Sequence, residues 1–90
     1  MNNKEILGAL AMDLTRVALG YQRGSSKMVN IFFKEALKRR DELDLKTLKP
    51  SIVKLLKNLE SIKSKEKDKA VALAKKYSDI FLDTFQNLPP

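Results

Sequence analysis

Apolar residues recur at three- and four-residue steps along most of this chain, the spacing that lines one face of an α-helix. Ile6, Leu7, Leu10, Leu14, Val17 and Tyr21 mark the first such face and predict a helix from about Lys4 to Arg23. Asn3 suits its N-cap and Glu5 its positive end. A second stripe, Gly8, Ala11, Met12, Thr15, Ala18 and Leu19, covers an adjacent face of the same helix. Its small residues allow close approach, so this helix is expected to be buried on two sides. Gly24 then stops it, because glycine takes the left-handed conformation that a helix end needs. Ser25 and Ser26 cap a second helix, Lys27 to about Arg40, with Val29, Phe32, Phe33, Ala36 and Leu37 on its apolar face. Lys27, Asn30, Lys34 and Lys38 take the opposite face.

Residues 41–49 form a charged connector, with one short turn begun by Asp44. Proline is favoured in a first helical turn. Pro50 therefore starts a third helix near Leu48 to Pro50, running to about Ile62 on the stripe Leu48, Ile52, Leu55, Leu56, Leu59 and Ile62. Residues 63–69 are a polar hinge in which Ser64 is placed to cap the last helix. That helix runs to about Asn87, with Ala70, Leu73, Ala74, Tyr77, Phe81 and Phe85 on one face, and 88–90 is a short proline-rich tail. No strand pattern and no internal repeat interrupts this order. The expected fold is all-α: one domain over residues 1–90, a small antiparallel up-down four-helix bundle with short loops. The doubly apolar first helix leaves room for dimerisation to complete the core. The interface expected for that dimer is Gly8, Ala11, Met12, Thr15 and Leu19.

Composition narrows the chemistry. There is no cysteine and no histidine. Disulfides and thiolate metal sites are excluded, which fits a reducing compartment. The commonest general base and the commonest metal ligand are both missing. Asp79 and Asp83, and the cluster Asp41, Glu42 and Asp44, are the best carboxylate groupings. Helical two-metal sites pair such carboxylates with histidine. No enzyme activity, cofactor or metal is expected. The most apolar stretch, Ile6 to Gly20, carries Asp13 and Arg16 and so reads as neither a signal peptide nor a membrane span. A cytoplasmic protein without membrane attachment is expected.

The net charge of +7 is uneven. Residues 23–57 hold ten basic and four acidic side chains, whereas 77–90 hold only Asp79 and Asp83. A lysine-rich face built from Lys27, Lys34, Lys38, Arg39, Arg40, Lys49 and Lys57 is a candidate for neutralising phosphates. A solvated basic surface accounts for the same residues. The turn Arg23, Gly24, Ser25, Ser26 and Lys27 opens a helix and offers amides, hydroxyls and cations to an anion. It lacks P-loop spacing, and capping needs the same glycine and serines. Asp13 and Arg16, three apart, can pair within the apolar segment and fix helix register.

The number and order of helices is similar to the minimal HEPN domains of toxin–antitoxin systems. Members that cleave RNA carry an Arg-x4-6-His motif, so that activity does not carry over to a chain without histidine. Size, lysine richness and four helices also resemble bacteriocin immunity bundles. The function expected first is a non-enzymatic interaction module that binds another protein or a second copy of itself. The alternative is a nucleic-acid-associated protein using the lysine-rich segment 23–57.

Overall fold

The computed structural model describes residues 2–89. Four helices, α1 (Asn3–Gln22), α2 (Ser26–Glu42), α3 (Pro50–Lys57) and α4 (Lys67–Asn87), are joined by short 3-10 segments at Leu45–Thr47 and Leu59–Ser64. Helix makes up 85% of the described residues and no strand is present among them. The chain runs up, down, up and down, as the pattern predicts. The third leg is α3 together with the 3-10 segment that follows it.

The centre of the bundle is α1, packed by α2 on one side and by α4 on the other. That arrangement explains its two apolar stripes. Leu7, Leu10, Leu14 and Val17 are fully buried, and Ala11 and Ala18 are 1% exposed. Phe33 and Ala36 enter the core from α2, Leu56, Leu59 and Ile62 from the third leg, and Ala70, Ala74, Tyr77 and Phe81 from α4. Each large side chain so buried contributes about 1.5–3 kcal/mol.

The α1–α2 turn follows the glycine-stop logic. Gly24 sits at φ +66°, its N–H donates to the Tyr21 carbonyl, and the Ser25 N–H donates to the Gly20 carbonyl. This is the Schellman arrangement, which satisfies the carbonyls that a helix end leaves free. Ser25 Oγ then accepts from the Met28 N–H and caps α2.

Three local assignments differ from the sequence expectation. The cap of α1 is Asn2, whose Oδ1 accepts from the Glu5 N–H. Asn3 instead clips the connector: its Nδ2 donates to the Asp44 carbonyl and to Thr47 Oγ1, and its Oδ1 accepts from the Asp44 N–H. The third helix gives way to 3-10 geometry after Asn58, because the Ser61 N–H and Ser61 Oγ both donate to the Asn58 carbonyl. Leu59 and Ile62, three apart, share a face in either geometry and both stay buried. Ser64 does not cap α4. Its Oγ donates back to the Ser61 carbonyl, and the helix begins after Glu66. In the tail, the Leu88 carbonyl accepts a hydrogen bond from Lys4 Nζ, and Pro90 lies outside the described residues.

Candidate functional site

The third leg returns antiparallel along α2, and this creates the main surface feature. Arg40 fixes the register at one end, with a bidentate pair to Glu60 at 2.6 and 2.8 Å and a bond to the Leu56 carbonyl. Lys63 fixes the other end, donating to Asn30 Oδ1 at 2.9 Å with its ammonium over the Phe33 ring. Two rows of lysine result. Lys27, Lys34 and Lys38 lie on the outer stripe of α2, and Lys57, Lys63 and Lys67 on or beside the returning segment. Lys27, Lys34, Lys38, Lys57, Lys63 and Lys67 are all exposed. An open cleft of about 320 Å³ at the top of this face is lined by Tyr21, Ser26, Asn30, Lys63 and Lys67.

Charge pairing separates three of the four arginines, Arg16, Arg39 and Arg40, from the lysines. The ion pairs among the described residues are made by arginine: Arg16 with Asp13, Arg39 with Asp13 and Glu42, and Arg40 with Asp41 and Glu60. The Arg40 hydrogen bonds hold the Glu60 carboxyl below its ordinary pKa and raise that of Arg40 itself. Arg39 and Arg40 were expected on the phosphate-binding face, but both serve as internal braces. Lys27, Lys34, Lys38 and Lys57 remain on the face. Lys49 lies apart from it, at the N-cap of α3 against the end of α4. Lys63 and Lys67 join it, and sequence reading missed them because only the Arg40–Glu60 register brings that segment alongside α2.

The turn expected to hold an anion loses part of its donor set, since the Ser25 N–H is bonded to the Gly20 carbonyl. Ser26, Lys27 and Arg23 stay exposed around it.

The α1 stripe expected to form a dimer interface is mostly covered by α4. The Phe85 ring lies over Gly8, so close that a Cβ added at that glycine would stand 3.0 Å from it. Ser78 Oγ donates to the Ala11 carbonyl and bonds Thr15 Oγ1 at 2.8 Å. Leu19 is half-buried, and only Met12, at 46%, is an exposed large apolar residue of that stripe. The apolar excess on α1 is therefore consumed within one chain.

Asp13 and Arg16 do come together, in a cluster with Arg39. Asp13 is 6% exposed, and its nearest guanidinium nitrogens are 3.7 Å (Arg16) and 3.9 Å (Arg39) away. Its Oδ2 accepts no hydrogen bond from the described residues. Arg16 also lies over the Phe32 ring at 5.4 Å. Burial raises the Asp13 pKa above its ordinary 3.8, against the lowering influence of Arg39 and Arg16. A raised acid pKa means that the folded state holds the proton to higher pH than the unfolded chain. Stability therefore falls as pH rises from near 3.8 through the folded value. Asp13→Asn mimics the protonated form. Chemical denaturation should find it more stable than wild type at neutral pH, by on the order of 1 kcal/mol, with the difference vanishing in acid. A less stable variant at neutral pH would show that the ion cluster is a net stabiliser.

No helix among the described residues is long and apolar enough to cross a membrane. Comparison with protein-family models, with curated proteins and with solved structures finds no match.

Proposed function

We propose that this protein binds the phosphate backbone of nucleic acid through the lysine face formed by α2 and the returning segment 57–67. The observation that carries this reading is the division of labour among the cations. Arginines take Asp13, Asp41, Glu42 and Glu60, while Lys27, Lys34, Lys38, Lys57 and Lys67 enter no ion pair with a described residue. Their charge is available to phosphates without first breaking an internal contact.

The type of cation sets the mode of binding. Lysine acts as a point charge, whereas base-edge recognition favours the planar arginine fork. Among the aromatic side chains, Phe33, Tyr77 and Phe81 are buried, and Phe32 and Phe85 pack beneath cations or against Gly8. Only half-buried Tyr21 among the described aromatics borders the cleft, too few for a stacking platform. Recognition is thus by backbone charge, with affinity that depends on salt and little on sequence. Lys27 to Lys38 spans about 16 Å of helix, roughly five base-pair steps of duplex. The interaction module expected first from the sequence loses its main support, because α2 and α4 cover the apolar faces of α1.

Fluorescence-anisotropy titration of a mixed-sequence duplex tests the proposal. Up to five phosphate contacts predict a slope of log K against log salt of about −3 to −5. Affinity independent of salt, or no binding at about 50 mM salt, would refute it.

A further inference from the structure

The outer face of α4 carries a seam that nothing among the described residues covers fully. Lys69, Leu73, Lys76, Ile80 and Asp83 follow one another at steps of four, three, four and three, the spacing of a helix–helix contact line. Lys69, Lys76 and Asp83 are exposed, and Leu73 and Ile80 are half-buried. Around Ala72 and Leu73 the surface dips into an open groove of about 310 Å³, rimmed by Lys65, Lys69 and Lys76. Charge is polarised along this seam. Its first half is basic, and Asp79 and Asp83 are the only charged residues from 77 to 90.

Such a seam is complementary to itself when reversed. We infer that two copies of this chain pair through α4, with the helices antiparallel and the two-fold axis near Lys76. In that register Lys69 meets Asp83 of the second copy, and Leu73 meets Ile80 of the second copy. Each Lys76 near the axis lies within reach of Asp79 of the second copy. A symmetric interface satisfies every such contact twice. The surface differs from the α1 stripe, which α4 occupies, and it shares no residue with the lysine face on α2. One helix pair buries less than about 1,200 Å², the range of weak assemblies, so the dimer is expected to have a dissociation constant on the order of 100 µM.

Sedimentation equilibrium across a concentration series that brackets this value tests the inference. Wild type should show a concentration-dependent monomer–dimer equilibrium that weakens with salt. Asp83→Lys and Lys69→Asp should each be monomeric, with helical circular dichroism unchanged because both positions are exposed. The double variant Lys69→Asp/Asp83→Lys should dimerise again, since the charges are exchanged rather than removed. A wild-type monomer at every concentration would overturn the inference. So would Asp83→Lys dimerising as wild type does, or a double variant that stays monomeric.

Discussion

Phe81→Ala is expected to lower the free energy of unfolding by about 3–5 kcal/mol. Phe81 is fully buried on α4 and meets Tyr77 edge to face, with ring centroids 6.1 Å apart. Truncation removes the transfer energy of the ring and leaves a cavity that the surrounding helices cannot fill. A domain of this size has about 5–13 kcal/mol in total, at roughly 0.05–0.15 kcal/mol per residue. The variant should therefore sit near its unfolding midpoint in mild denaturant. A loss below about 1 kcal/mol would mean that the core can collapse around the gap, and that Phe81 is not a keystone of it.

Gly20→Ala should be the next most damaging substitution, for the opposite reason. A Cβ at Gly20 would lie 2.9 Å from both the Val29 backbone nitrogen and Val29 Cγ2. Backbone cannot swing aside as a side chain can, so α2 must move away from α1. Overpacking of this kind costs about 1–3 kcal/mol, occasionally more. Gly8 supplies the comparison. Its nearest obstacle is the Phe85 ring at 3.0 Å, the half-buried side chain of a terminal turn, which can rotate. Thermal unfolding should rank Gly20→Ala well below Gly8→Ala. The reverse order would place the tight helix contact at the α1–α4 seam rather than the α1–α2 seam.

These sites show what a linear sequence conveys and what it does not. Gly24 followed by serine announces a helix stop and a helix start, because both signals act within five residues. The stripes of α1, α2 and α4 are legible for the same reason. Asn2 and Asn3 offer equal capping chemistry, and the choice between them rests on a connector 41 residues away that Asn3 clips. The small-residue stripe of α1 is equally visible, but spacing does not reveal whether a second chain or the chain's own α4 covers it. Arg39 and Arg40 look like any other cations in a basic run. Their removal from the binding face depends on Asp13 and Glu60, 26 and 20 positions distant. The same long-range register lines Lys63 and Lys67 up with α2, so the composition of the face follows from the fold.

The distinction between a binding face and mere net charge can be measured directly. Two double variants lower the net charge equally: Lys34→Glu/Lys38→Glu on the face, and Lys46→Glu/Lys75→Glu outside it. Anisotropy titrations against one duplex at matched salt compare them with wild type. The face variant should bind roughly 10–100-fold more weakly, with a salt slope reduced by about 2, while the outer variant stays close to wild type. Equal weakening in both would contradict the account, because it would show that duplex responds to the total charge of the protein and not to the surface that α2 and its returning partner build.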